Sequence, residues 1–251
     1  MKTSIMLRNN RFVRILLAAI FWMAVWQIAA LGVGLPLLLP GPIQVVRALV
    51  RLGGENSFWA MVLLSVLRVL AGFLLGALAG GILAVGTFFV PGMDTLLTPV
   101  IRVVRASPVT SFILLCMLWI ESSAVPAVIA ALMVLPIVWE NITQGFRNTD
   151  EKLLEMARVF RMGRLKTFLL IYIPSVKGYF RAACLTSMGM AFKSGVAAEV
   201  LCQPKIAVGT QLYYSKIYLE TENLFAWTAV VVILSILMER LLMALLKIKK
   251  N

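Results

Sequence analysis

Residues 155–174 read EMARVFRMGRLKTFLLIYIP, a charged stretch set in a very apolar chain. From Asn148 to Thr167 there is no proline, and Asn148, Thr149 or Asp150 can cap a helix. The acids Asp150, Glu151 and Glu155 lie near its start, while Arg158, Arg161, Arg164 and Lys166 crowd its end. That charge order complements a helix dipole and predicts a short helix of its own. Leu153, Ala157 and Phe160 fall three to four apart and predict an apolar ridge beside Glu155 and Arg158. A ridge of that kind on a loop has to be covered by something.

Outward from this loop the chain is apolar. Hydrophobic residues make up 61% of 251, and mean hydropathy is +0.94. Both exceed what a soluble domain carries. Runs long enough to span a bilayer fall at 15–35, 59–90, 96–120, 125–143, 178–201 and 223–246. They are continuous rather than alternating, which excludes a β-barrel. The expected fold is an all-α polytopic membrane protein with about six transmembrane helices. Its segments are a cytoplasmic N-terminal segment 1–14, a single transmembrane domain 15–247 with the loop at about 144–177, and a basic tail 248–251. The second run is too long for one perpendicular crossing. Its first turns, around Ser65 and Arg68, are expected in the outer interface, with the crossing proper from about Leu70.

Charge sets the orientation, because basic loops stay cytoplasmic. Lys2, Arg8, Arg11 and Arg14 precede the first span, Arg102 and Arg105 open the third, and Arg240, Lys247, Lys249 and Lys250 close the last. With the basic residues of the 144–177 loop they place both termini in the cytoplasm. The net charge of +13 is accounted for by this distribution along lipid-facing helix ends, so it does not call for nucleic acid. The N-terminus has a basic region and an apolar stretch, but the stretch is too long for a signal peptide and no A-x-A site closes it, so it is read as an uncleaved first helix. Cys116, Cys184 and Cys202 are odd in number and have no CxxC spacing, so they read as helix fillers. There is no histidine. No catalytic residue and no metal site is predicted.

Between the first two spans, Pro36, Pro40, Gly41 and Pro42 break the chain, and IQVVRALVRL (43–52) predicts an amphipathic helix on the outer surface. Gly72, Gly76 and Gly80 form a small-residue stripe suited to close helix packing. Pro126 and Pro136 can kink the fourth span. In the fifth, Lys193 lies mid-span between Gly189 and Gly195, with Ser187 and Ser194 nearby. A lysine at that depth faces a cavity, a partner or a ligand by default. Lys193, Ser187, Ser194 and Glu199 are the candidate translocation-path residues. Lys193 and Glu199 are about 240° apart around the helix at ~100° per residue, and therefore need separate partners.

The opening stretch resembles the cytoplasmic EAA signature of the permeases of bacterial ABC importers: E-A-A, three residues, G, nine residues, I-x-L-P. Glu155, Ala157, Ile171 and Pro174 fall on that spacing. Met156 replaces the second residue, Ile173 the Leu and Arg161 the Gly, with Gly163 two places later. Pro40-Gly41-Pro42, Ser65-x-x-Arg68-x-x-x-Gly72, Arg105 with Pro108, and Ala197-Ala198-Glu199-Val200 are similar to further pieces of the nitrate/sulfonate/taurine branch.

The resemblance implies a coupling helix between spans 4 and 5. Glu155 would be its charged contact to an ATPase, Ala157 its close-packing point, Arg158 and Phe160 neighbours on the docking face, and Pro174 the break where the next segment begins. Arg161 in place of the Gly is a departure from the signature, accommodated if Gly163 takes over the left-handed turn and shifts it by two residues. The implied partners are a second permease copy, a cytoplasmic ABC ATPase dimer, an extracytoplasmic binding protein and membrane lipid. The chain has no GxxxxGK[ST] loop, so ATP and Mg would be held by the ATPase and no cofactor by this chain. The implied function is an inner-membrane permease for a small anion such as a sulfonate, taurine or nitrate. An ion-coupled secondary transporter or channel is the alternative, whose usual mark is several intramembrane acids serving as proton or sodium sites. A membrane-embedded enzyme is a third, lacking any nucleophile–base pair.

Overall fold

The structure, a computed structural model, describes residues 11–246. Residues 1–10 of the expected N-terminal segment, and the tail 248–251, lie outside the described residues. Every regular element is a helix: α1 (Arg11–Val33), α2 (Pro42–Gly53), α3 (Asn56–Phe89), α4 (Met93–Ala106), α5 (Val109–Cys116), α6 (Val125–Arg147), α7 (Glu151–Val159), α8 (Arg164–Thr167), a π-helical turn (Phe168–Tyr172), α9 (Ile173–Cys202), α10 (Val208–Ile217) and α11 (Thr221–Leu245). Five helical stretches are long and apolar enough to cross a membrane, and the pair α4–α5 makes a sixth if taken as one bent span.

Two compact units result. Of the described residues, 11–59 with 211–230 form the first and 60–210 with 231–246 the second.

In the first unit, α1 leaves Ile15, Ile20, Phe21, Trp22 and Ile28 exposed, as a helix facing lipid does. The expected amphipathic helix is α2. It buries Pro42, Val45, Ala48 and Leu52 and exposes Ile43, Val46 and Val50. Gly41 N–H donates to Gln44 Oε1 at its start, at 2.8 Å, so Pro42 at the first turn loses nothing by having no N–H. Trp26 stacks on Phe225 and Phe58 on Trp227, while Arg51 Nη2 donates to Asn223 Oδ1 at 2.7 Å.

The second unit is built on α6, whose Val125, Ile129, Ala130, Val134 and Val138 are fully buried. The glycine stripe of α3 lies against it. A Cβ at Gly72 would run into the carbonyl oxygen of Ala127. At Gly76 it would meet that of Ala131 at 2.5 Å, and at Gly80 that of Leu135 at 2.6 Å. The four-residue period of the glycines matches the four-residue period of those carbonyls, so two backbones run in contact over two turns. Along the rest of α6 packs the buried face of α9, with Ala183, Cys184, Met188, Ala191 and Phe192.

Two expectations about the spans change, those for the third and the fifth. The third run, 96–120, is not one helix: α4 and α5 meet at 99°. Pro108 has no N–H and pushes Ser107 into extended backbone (ψ 140°), so the helix stops one residue short of it. Neither piece crosses a bilayer alone, since a crossing takes about 20 residues. The second run is a single 34-residue helix, roughly 50 Å at 1.5 Å per residue. Its Ser65 is buried inside the protein. The fifth begins far earlier than residue 178: α8, the π turn and α9 form one helical run, Arg164–Cys202.

Candidate functional site

The loop forms its helix for local reasons. Asp150 caps α7, its carboxylate accepting from Lys152 N–H at 2.9 Å. Glu151 sits in the first turn and Arg158 in the last, each favoured by the dipole. The chain enters from α6 through a fixed corner: Thr149 Oγ1 donates to Gly145 O, and Asn148 Nδ2 donates to Tyr179 OH.

The exit is a left-handed cap. Met162 N–H bonds to Ala157 O at 2.9 Å and Arg161 N–H to Arg158 O at 3.0 Å, a Schellman arrangement with Arg161 in the C′ position. Arg161 carries φ +49° there, whereas Gly163 is extended at φ −64°, ψ 154° and begins α8. Gly163 therefore does not take over the turn. The cap geometry is fixed by where α7 ends, and Arg161 occupies the left-handed position itself.

The expected ridge is also redrawn. Ala157 is 3% exposed and packs within its own chain, so it is no part of an open ridge. The apolar side chains left in the open are Leu153, Met156, Phe160 and Val159, the last two at 73% and 79% exposure. They form a stripe one helix face wide, and Glu155 lies beside Val159 on its border. Glu155 and Arg158 are exposed, and among the described residues neither has a salt-bridge partner.

Pro174 does not break the chain. It lacks the N–H that would bond back one helical turn, and the helix absorbs this by widening: Ile173 N–H reaches Phe168 O five residues back, and Ser175 Oγ donates to Ile171 O. Phe168 and Tyr172 of this π turn pack into an aromatic cluster with Phe88, Phe89 and Phe146, with ring centroids 4.5 Å apart for Phe88–Tyr172 and 4.9 Å for Phe89–Phe168. The loop is thus gripped at its root by α3 and α6 and open at its tip.

On α9 the four path candidates separate. Lys193 is exposed on a face shared with Thr186, Met190 and Ala197. Ser187 and Ser194 are buried on other faces, their hydroxyls donating to carbonyls of their own helix: Ser187 to Cys184 O, Ser194 to Met190 O. Glu199 is 0% exposed and belongs to a polar knot. Its Oε2 accepts from Ser65 Oγ at 2.8 Å and Gly209 N–H at 3.0 Å, and its Oε1 faces Arg68 Nη1 at 3.5 Å. Ser65 Oγ in turn accepts from Val208 N–H, and Arg68 donates to Ile206 O at 2.7 Å. The close approach needs glycine at 209, where a Cβ would strike Glu199 and Val200.

Sequence reading did not find that Ser65-x-x-Arg68 and Glu199 are one feature. The signal available was an acid and a base, each without a local partner, near the same end of two apolar runs. Helix α10, which opens with the two N–H donors of the knot, was missed too. Among the described residues no three His, Cys, Asp or Glu side chains come together as a metal site would need.

A multi-pass helical membrane protein with a capped, outward-facing helical loop between two of its spans is the class these features define. The chain belongs to the family of binding-protein-dependent transport system inner membrane components, whose model matches residues 72–248. It is 29% identical over 196 residues to the nitrate import permease protein NrtB of Synechococcus elongatus, covering 72% of this chain and 68% of that one. It is 22% identical over 228 residues to the taurine transport system permease protein TauC of Escherichia coli, covering 88% and 82%. A Bacillus subtilis protein named for aliphatic sulfonates transport, SsuC, is 27% identical over 205 residues, covering 81% and 74%.

Among solved structures, the crystal structure of an amino acid ABC transporter with histidines matches with a TM-score of 0.61 at 18% identity, over 76% of this chain and 91% of that one. That likeness is one of fold. The chain is a multi-pass inner-membrane transport subunit. In this family the ATPase is a separate protein, and membership carries association with an ATPase and a binding protein.

Proposed function

We propose that two copies of this chain form the translocation path of an ATP-driven importer for a small organic or inorganic anion. A sulfonate, taurine or nitrate, delivered by an extracytoplasmic binding protein, is the class that fits. The observation that carries the coupling half of this reading is the open tip of the 151–162 loop. There Phe160 and Val159 stand unburied beside an unpaired Glu155, on a helix whose root is fixed by five aromatic rings. A groove on an ATPase subunit buries that stripe and pairs that charge. Closing of the ATPase dimer then moves α7 as a lever, and the π turn passes the movement into α9.

The anion half rests on the names of three relatives and on Lys193. A lysine exposed to hydrocarbon is unfavourable by a few kcal/mol. A second copy laid along the Thr186–Ala197 face encloses it in a polar path instead, where it attracts an anion. Both termini then lie in the cytoplasm, and ATP and Mg are held by the partner ATPase.

Co-purification of the chain with its ATPase, wild type against Glu155→Arg, tests the coupling. Association lost on reversing that exposed charge, with the melting temperature of the permease unchanged, is the expected result. Association that survives removes Glu155 as the main contact. A well-folded wild type that captures no ATPase removes the coupling role of the loop.

A further inference from the structure

Beyond the transport reading, and independent of it, lies a cavity of about 220 Å³ between α4 and α6, at the end from which the 151–162 loop emerges. It has room for several waters at roughly 30 Å³ each. Two carboxylates line it and both are engaged: Glu140 with Arg105, and Asp94 with Arg147. Arg102 is the third guanidinium on the wall, and among the described residues it has no carboxylate partner. Trp139 lines the same cavity at 6% exposure, and its indole N–H has no acceptor; Thr143 Oγ1, also on the wall, has no partner either.

Two of these unmet demands, those of Trp139 and Arg102, share a sign, and the Thr143 hydroxyl can serve either way. An indole N–H can only donate, and a guanidinium offers five donors and no acceptor. The wall's carboxylates are engaged with Arg105 and Arg147, and its other acceptors are the neutral Thr98, Thr143 and Gln144, while a buried donor such as the Trp139 indole is costly to leave unmade. Water would satisfy Trp139 but would not neutralise Arg102. A metal cation is disfavoured by the surplus arginine. We propose that this cavity binds an oxyanion of the phosphate class, supplied either by an anionic lipid headgroup or by free phosphate. Basic pockets between membrane helices take headgroups in this way.

Arg147 is the last residue of α6, and Asp150, three positions on, caps α7. A bound oxyanion therefore holds α4 to α6 at the root of the loop.

The test is calorimetric titration of the delipidated full-length chain in detergent with short-chain phosphatidylglycerol, short-chain phosphatidylcholine and inorganic phosphate. Arg102→Gln and Trp139→Phe are compared with Lys205→Gln, a lysine on the exposed loop after α9. Saturable binding of phosphatidylglycerol but not phosphatidylcholine is expected. It should weaken at least about tenfold in Arg102→Gln and severalfold in Trp139→Phe, and remain unchanged in Lys205→Gln. Inorganic phosphate reproducing that pattern alone assigns the site to the free ion. Equal binding of both lipids, no saturable binding of either ligand, or binding indifferent to both cavity variants overturns the proposal and leaves the cavity to water. Arg102 is exposed and unpaired, so its replacement leaves the fold intact, and an unchanged unfolding temperature checks this.

Discussion

Glu199 and Glu155 are the same side chain in opposite circumstances. Glu199 is wholly buried and held by Ser65, Gly209 and Arg68, so both of its oxygens find partners within the chain. Glu155 stands in the open on α7 with no partner among the described residues and with unburied apolar side chains beside it. One carboxylate closes a structure; the other waits for one. A protein keeps an exposed apolar stripe next to an unpaired charge where another surface arrives to cover both. The comparison therefore separates residues that hold the permease together from residues that the proposed coupling would use.

The sharpest way to break that separation is at Glu199. Removing one partner of a fully buried ion pair costs about 3–5 kcal/mol. Here Arg68 is partly exposed and keeps its bond to Ile206 O, so the loss falls below that range and comes mainly from the stranded Ser65 and Gly209 donors. Glu199→Ala is expected to lower the unfolding temperature in detergent steeply and to free residues 203–209 for proteolysis. A variant as stable as wild type would show the knot to be incidental. Next in size is Gly72→Ala. Its new methyl meets the Ala127 carbonyl, which is backbone and cannot swing aside, so overpacking of about 1–3 kcal/mol is expected in the same assay. Gly53→Ala, at a site with nothing within 4 Å, is the control that should stay near wild type.

How much of this was legible follows from how local each cause is. The α7 helix, its Asp150 cap and its dipole-matched charges are set by neighbours in sequence, and the pattern around Glu155 revealed them. The glycine stripe was legible as a seam because its period is four, though not which helix it meets. The bend at Ser107–Pro108 was hidden because Arg102 and Arg105 were weighed as an orientation signal rather than as the polar face of a separate helix. The partners of Glu199 were not legible because they lie 131 and 134 positions away in sequence. No pattern within α9 distinguishes an acid facing a path from one tied to α3. Ser187 and Ser194 were grouped with Lys193 by proximity in sequence, whereas successive residues of a helix point some 100° apart.

The loop side of the comparison is tested by Phe160→Ser. Phe160 is 73% exposed, so permease stability should stay within about 0.5 kcal/mol of wild type. Association with the ATPase should weaken about tenfold, as for an aromatic anchor. A fall in stability instead would place Phe160 with Glu199, among the residues that hold the fold.

Arg161 belongs to neither side, and its effect is the smallest and the most local. It holds φ +49° at the C′ position, where a side chain costs about 1–2 kcal/mol relative to the glycine that the signature resemblance leads one to expect. Arg161→Gly should therefore tighten the cap rather than loosen it. The amide of Met162, bonded to Ala157 O, is the reporter, and its hydrogen exchange should slow about fivefold, which corresponds to roughly 1 kcal/mol. If exchange slows and ATPase association is unchanged, the arginine is a tolerated strain at the end of a lever. If exchange slows and association weakens, the guanidinium itself contacts the ATPase, and the docking surface extends past Phe160 to the turn. Faster exchange would mean that the arginine stem packs well enough on α7 to outweigh its backbone strain.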